Sequence, residues 1–207
     1  MDERLVFKWL FLVLFISVLF IRAIFGIKQR RMGQSSWSIN EEAVEREGRW
    51  SLLLRPIGFI FFLGLVVLYM IEPSGSDWLF LPLPSWVRWT GVLLCTASIL
   101  LLVWVHRTLG IHWSTTLQFK EGHTLVTSGP YKFVRHPMYS ALIFFFIGIS
   151  IVSSFWPFIA LVLILILFFF RIIEREEAMM IEQFGDEYQA YMKRTGRCLP
   201  GLRSDLG

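Results

Sequence analysis

Two stretches of this sequence concentrate side chains that can bind ligands and hold charge. The first runs from His123 to Tyr139 and reads HTLVTSGPYKFVRHPMY. The second runs from Arg171 to Tyr191 and reads RIIEREEAMMIEQFGDEYQAY. In the first, Ser128-Gly129-Pro130 spells a turn. His136 precedes a proline and is biased away from the helical region, and Pro137 is suited to open a helix. The start of that helix offers free backbone N–H groups and the positive end of its dipole, with Arg135 and His136 alongside. Such a corner can seat a carboxylate or a phosphate. It can equally be an interfacial anchor, with Arg135 on lipid phosphate and the tyrosines in the aromatic belt. In the second stretch, Arg171 stands where an apolar run stops, and Glu174, Glu176 and Glu177 follow within two turns. An acid there can meet a cationic ligand or ribose hydroxyls. Taken singly, Glu174 and Glu177 read as solvated helix-face charges; only their conjunction with the first stretch gives them chemical weight.

The elements that must position these residues are apolar. Runs of about 20 such residues cross a bilayer as helices, because the backbone must satisfy its own hydrogen bonds there. Leu5–Phe25, Leu52–Ile71 and Trp86–Val105 qualify. Lys8, Arg22, Arg55 and Arg88 lie near their ends, where long side chains can snorkel to the headgroups. Between Met138 and Phe170 no residue is charged. As one helix this run would be roughly 50 Å long, too long for a single crossing. Ser153, Ser154, Trp156 and Pro157 interrupt it, which predicts a tight hairpin of about Pro137–Ser153 and Pro157–Ile173. Beyond it, the composition predicts two short amphipathic helices meeting at Gly185 and lying at the membrane surface. Glu41–Arg49 mixes acids and bases at helical spacing and is expected to be a solvated surface helix.

Composition agrees with this picture. Of 207 residues, 55% are hydrophobic and 17% charged, with 20 Phe and 9 Trp. The net charge of +4 comes from basic residues beside the apolar runs, which points to topology and anionic lipid and not to nucleic acid. Lys and Arg gather in Gly26–Trp50, in His106–Arg135 and after Phe170, whereas Glu72–Ser85 has none. The positive-inside rule then sets these three basic segments in the cytoplasm and the N-terminus outside. Leu5–Phe25 has no small-residue cleavage site after it and is expected to be a retained helix. Cys95 reads as core packing, and neither it nor Cys198 suggests a disulfide. His106 and His112 lack a Cys or carboxylate partner at metal spacing, so interfacial hydrogen bonding is expected and no metal. Trp78, Trp86 and Trp89 read as belt anchors. Trp104 and Trp113 either join the belt or wall a pocket.

The ordered set His123, Leu125, Val126, Gly129, Tyr131, Arg135, His136, Pro137, Tyr139, then a hairpin, then Glu176, Glu177, Phe184, Gly185, Tyr188 and Tyr191, resembles the isoprenylcysteine carboxyl methyltransferase family and its prokaryotic relatives. The resemblance covers the chain from about Gly110 onward; the first two helices match only in being hydrophobic. It implies an all-α integral membrane protein of about five transmembrane segments, with cytoplasmic C-terminal helices. The expected organisation is a single domain, 1–207, with three spans in 1–109 and the cofactor-binding and catalytic region in 110–207. The implied cofactor is S-adenosyl-L-methionine, leaving as S-adenosyl-L-homocysteine. Its pocket would be lined by Gln118, His123, Thr124, Leu125, Val126, Tyr131, His136, Pro137, Met138, Tyr139 and Glu176. Arg171 resembles the family arginine near the methyl acceptor, and Arg171 and Glu176 are the implied catalytic residues.

The chemistry these parts allow depends on the acceptor. A carboxylate is already ionised; it needs alignment with the methyl, exclusion of water and a cation such as Arg171 to hold it. A lipid ammonium needs a base, for which Glu176 is the candidate. Carboxyl O-methylation of a prenylcysteine-like substrate leads by resemblance, and phospholipid amine N-methylation is second. The partners implied are a lipophilic or lipid-modified substrate and membrane lipids, with no nucleic acid. A lipid-binding scaffold is the non-enzymatic alternative. A transporter fits poorly, because the two halves do not resemble each other and the hairpin is uncharged.

Overall fold

The computed structural model describes residues 2–31, 48–110 and 125–201. The described residues form five long helices, here α1 (Glu3–Arg31), α2 (Arg49–Ile71), α3 (Ser85–Leu109), α4 (Pro137–Ser153) and α5 (Trp156–Arg194). This is an integral membrane protein: α1, α3, α5 and Leu52–Ile71 of α2 are long and apolar enough to cross a membrane, and α4 is a shorter apolar helix. Large apolar side chains such as Phe20, Ile60, Leu93 and Leu167 are exposed along these helices, as lipid-facing surface requires.

Local signals account for most boundaries. Pro137 and Pro157 sit in the first turns of α4 and α5, where a missing N–H costs nothing. α4 stops at Ser154, which takes the left-handed conformation (φ 57°) and returns its N–H to Ser150 and Ile151. Phe155 alone separates this cap from α5, so the hairpin is as tight as expected. Its turn is held by the segment before α3: Leu81 N–H donates to the Ser154 carbonyl at 2.7 Å, and Phe80 bridges to Phe155.

Three elements run longer than their hydropathy predicts. α1 continues to Arg31, and α3 to Leu109. The larger departure is α5, a single 39-residue element. The amphipathic segment after Phe170 is a direct continuation of the span, not a separate surface helix. The break at Gly185 is real: its φ of 50° and ψ of −124° lie outside the helical region and turn the last two helical turns aside. The expected helix at Glu41–Arg49 falls largely outside the described residues.

The core is aromatic. Phe11 stacks on Phe158 at 5.3 Å and tilts against Tyr69 at 4.9 Å, which joins α1, α2 and α5. α3 and α4 approach most closely at Gly91 and Gly148. A Cβ on Gly91 would lie 2.8 Å from the Gly148 carbonyl oxygen, and one on Gly148 would lie 2.7 Å from Cys95 Sγ. Small residues let the two backbones meet where no hydrophobic force drives helices together.

One end of the bundle is tied by ions. Arg4 pairs with Glu72 at 2.9 Å, Lys8 with Glu72 at 2.5 Å, and Ser85 donates to Glu3. Arg88 does not snorkel as its position suggests. It is buried, its guanidinium lies 3.9 Å from the Phe7 ring centre, and it donates twice to the Val152 carbonyl, at 2.9 and 2.7 Å. A cation thus satisfies a C-terminal carbonyl of α4. Trp78, Trp86 and Trp89 are exposed at this same end, in keeping with a belt. The opposite end gathers the start of α4, the far part of α5 and residues 195–201, and the described residues of both chemical stretches lie there.

Candidate functional site

The site is built where α4 begins. Residues 125–127, without regular secondary structure, lead through an extended Ser128 into a short 3-10 turn, Gly129–Lys132. Val134 then bridges in parallel to Gly196, in the segment after α5. Arg135 N–H donates to the Gly196 carbonyl at 2.8 Å, and His136 N–H to that of Arg197 at 3.0 Å. Ser140 Oγ reaches the Cys198 carbonyl at 2.6 Å, and Tyr191 Oη the Tyr131 carbonyl at 2.6 Å. The bend at Gly185 is what lets the end of α5 and this tail fold back over the RHP corner.

Glu177 is the hub of the corner. Its Oε1 accepts from Arg135 Nε at 3.0 Å and lies 3.3 Å from His136 Nε2. Its Oε2 accepts from Arg197 Nε at 3.0 Å and Nη2 at 2.5 Å. Arg135 also donates to the Met192 carbonyl at 3.0 Å and to that of Thr195. Burial alone would push the Glu177 carboxyl up; hydrogen bonds from His136, Arg197 and Arg135 outweigh it and hold the group at about 2. Glu177 is therefore neither exposed nor solvated, and Arg135 is committed inside the protein, not to a lipid phosphate.

Glu176 points elsewhere. Its Oε2 is buried and has no hydrogen-bond partner among the described residues, and it lies 3.7 Å from His136 Nδ1, beyond bonding distance. An orphaned carboxylate oxygen beside a histidine and a helix N-terminus fits a ligand carrying hydrogen-bond donors. Tyr131 flanks it: desolvation first, then the Glu176 charge, push the Tyr131 phenol up, so it stays a neutral donor. Tyr139 lies tilted between His136 and Phe169, its ring centre 5.9 and 5.4 Å from theirs.

Of the residues named from sequence, the structure brings together Tyr131, His136, Pro137, Tyr139 and Glu176. Leu125 and Val126 lead into the same corner and are half-buried, as is Met138. Gln118, His123 and Thr124 lie outside the described residues, as do His112 and Trp113. Arg171 is on α5 but about 140° around the helix from Glu176. It is exposed, on a concave surface with Ile164, Leu167, Phe168, Phe170 and Glu174. Sequence reasoning missed Arg197, counted only as a tail charge. Its signal was indirect: an acid on a buried helix face needs cations, and Arg135 supplies only one. His106 is buried against Phe25, ring centres 4.8 Å apart, deeper than an interfacial role implies.

Depth matters as well as geometry. α4 has 17 residues, so it is about 26 Å long, somewhat less than the ~30 Å hydrocarbon core. Glu176 lies 20 residues into α5 and so about 30 Å along it. By these lengths the start of α4 and Glu176 both lie toward one end of the apolar bundle.

Comparison with known proteins fits this arrangement. Residues 86–187 match the family model described as phospholipid methyltransferase. The mouse (Mus musculus) and human (Homo sapiens) protein-S-isoprenylcysteine O-methyltransferases are each 33% identical, over 123 and 129 residues. The matches take in 58% and 59% of this chain and 43% and 45% of those proteins. A solved structure of the eukaryotic intramembrane Ras methyltransferase, isoprenylcysteine carboxyl methyltransferase, superposes with a TM-score of 0.59 at 27% identity, covering 70% of this chain and 53% of that one. Over these regions the chain is similar to isoprenylcysteine carboxyl methyltransferases and to the phospholipid methyltransferase family model. The match to residues 86–187 takes in α3, the RHP corner, α4 and α5 through the Gly185 bend, so the family region contains the Glu176–Glu177 pair. The chain spans less than half the length of these curated family members.

Proposed function

We propose that this protein transfers a methyl group from S-adenosyl-L-methionine to a lipophilic acceptor at the membrane boundary, by carboxyl O-methylation of a prenylcysteine-like substrate. The observation that carries this reading is the buried Oε2 of Glu176, without a hydrogen-bond partner among the described residues, beside His136. The names of the relatives add to it. The cofactor, when bound, supplies an electrophilic sulfonium methyl.

The remaining work belongs to the chain. Glu176, His136 and Tyr131 would hold the polar parts of the cofactor, and Leu125, Val126, Pro137, Met138 and Tyr139 would cover its apolar parts and exclude water. Gln118, His123 and Thr124 complete the proposed lining. Arg171, exposed beside Ile164, Leu167 and Phe168, would grip the acceptor carboxylate while the lipid chain lies along the apolar face of α5. An ionised carboxylate needs no base, so alignment and desolvation supply the rate. The basic segments face the cytoplasm in this reading, the N-terminus lies outside, and residues 1–207 act as one domain.

Phospholipid amine N-methylation is a second reading, favoured by the description of the matched family model. Base-treated product separates the two, because methyl esters release methanol and methylamines do not. The primary test is calorimetric titration of the detergent-purified chain with S-adenosyl-L-homocysteine. Saturable binding that is lost in Glu176→Ala supports the proposal. A folded sample that binds nothing refutes it and favours a lipid-binding scaffold.

A further inference from the structure

One tail residue holds His136 from two directions. His136 precedes α4, at φ −123° and ψ 57°, so the helix ladder does not take its N–H. The Arg197 carbonyl does, at 3.0 Å. The neighbouring residues repeat the contact. Arg135 N–H reaches the Gly196 carbonyl at 2.8 Å, and Ser140 Oγ lies 3.1 and 2.6 Å from the His136 and Cys198 carbonyl oxygens. The Arg197 side chain turns to α5, where its Nε and Nη2 donate to Glu177 Oε2 at 3.0 and 2.5 Å. The other oxygen of Glu177 lies 3.3 Å from the His136 ring. These contacts close a circuit from the His136 backbone through the Arg197 carbonyl, the Arg197 guanidinium and the Glu177 carboxylate back to the His136 ring.

The circuit sets a spacing. Glu176 adjoins Glu177 on α5, so whatever fixes Glu177 against His136 also fixes the 3.7 Å gap between His136 Nδ1 and Glu176 Oε2. Arg135 reinforces one side only: it donates to Oε1 and to the Met192 and Thr195 carbonyls. Among the described residues Oε2 is left to Arg197, so the carboxylate is kept from turning by the tail. The tail can take this path because residue 196 is glycine. A Cβ there would overlap the Leu199 carbonyl oxygen and lie 2.6 Å from the Gly201 nitrogen.

We propose that Arg197 is a positioning residue of the cofactor site: its carbonyl holds the His136 backbone and its guanidinium holds Glu177, and together they keep the His136 ring and the Glu176 carboxylate at the spacing that a bound cofactor bridges. The link to the cofactor rests on the methyltransferase reading above; the circuit does not.

The test uses the full chain in detergent and two readouts. One is hydrogen exchange without ligand, resolved to single amides. The other is calorimetric titration with S-adenosyl-L-homocysteine. In Arg197→Gln the Arg135 and His136 amides should exchange about tenfold faster, and binding should weaken about tenfold, the value of one charge-assisted hydrogen bond. Amides in the middle of α3 and α4 should keep their rates. Arg197→Lys, which keeps the charge but not the two-nitrogen grip, should recover part of both losses. Arg197→Gln combined with Glu177→Gln should bind no more weakly than Glu177→Gln alone, because the two residues act in series. Lys193→Ala, which removes an exposed charge nearby, should change neither readout. Unchanged exchange at Arg135 and His136 overturns the proposal. So do faster exchange with unchanged affinity, which would make Arg197 a fastener of the tail alone, and additive losses in the double variant. If Arg197→Gln loosens the whole bundle, Arg197→Lys decides in its place: faster exchange confined to Arg135 and His136 with weaker binding supports the proposal, and any other result overturns it. A parent that binds no S-adenosyl-L-homocysteine counts against the proposed activity, while the exchange rates, read without ligand, still decide the circuit.

Discussion

Glu176 and Glu177 are adjacent in sequence but about 100° apart around α5. One faces a gap and the other a nest of three cationic or donor groups, Arg135, His136 and Arg197. Their substitutions should therefore differ in kind. The folded Glu177 carboxyl is depressed to about 2 from an ordinary 4.5, so its stabilisation is fully present above about 4.5 and disappears as pH falls toward 2. The difference in thermal midpoint between the parent and Glu177→Gln should stay constant from neutral pH to about 5 and narrow below 4.5. A gap that persists at pH 2 would contradict the ionic hub. His136→Ala should weaken S-adenosyl-L-homocysteine binding by about ten- to a hundredfold, the range for one hydrogen bond to a charged group. Arg171→Ala should lower turnover more than cofactor affinity, because it lies away from the corner and beside the apolar groove. Equal losses in both would end its assignment to the acceptor.

Among the elements, α4 is where local code and packing agree. Pro137 starts it, Ser153 ends it, and its bounds coincide with those expected from the sequence. It is shorter than the other four helices, and His136 is held at its N-terminus. Its place against α3 depends on Gly91 and Gly148, whose roles hydropathy cannot distinguish from those of any small residue in a span. Gly148→Leu would drive a side chain into Cys95 and the Gly91 carbonyl, and should cost about 1–3 kcal/mol by forcing the helices apart. Thermal unfolding in detergent measures this, and Gly64→Leu, where the added atoms meet open space, is the matching control. α5 was less legible. The change from apolar to charged composition at Phe170 does not mark where the helix ends, because helical hydrogen bonding continues through it.

Among the described residues, five helices carry ion pairs at two ends of the bundle. Glu3, Arg4, Lys8, Glu72 and Asp77 close one end. The corner of Arg135, His136, Glu177 and Arg197 closes the other. If the site faces the cytoplasm, cysteines placed at these ends should report opposite sides. Lys193→Cys should react with a membrane-impermeant maleimide only after cells are opened, and Ser74→Cys should react in intact cells. The reverse pattern would invert the proposed orientation while leaving the site chemistry untouched.

Membrane residence, the hairpin at Ser154 and the RHP corner follow from the sequence by itself. Each rests on interactions within one segment: apolar transfer, backbone satisfaction and the restrictions of proline. The tertiary structure decided what depends on partners far apart along the chain. It separated Glu177 from Glu176, turned Arg88 inward onto the Val152 carbonyl of α4, and brought Arg197 back across the Gly185 bend to a carboxylate 20 residues earlier. A charged side chain in a sequence is compatible with water, lipid phosphate or another charge. Only the fold determines which of these it meets, because the low-dielectric surroundings that make the choice energetically large exist only once the helices have packed.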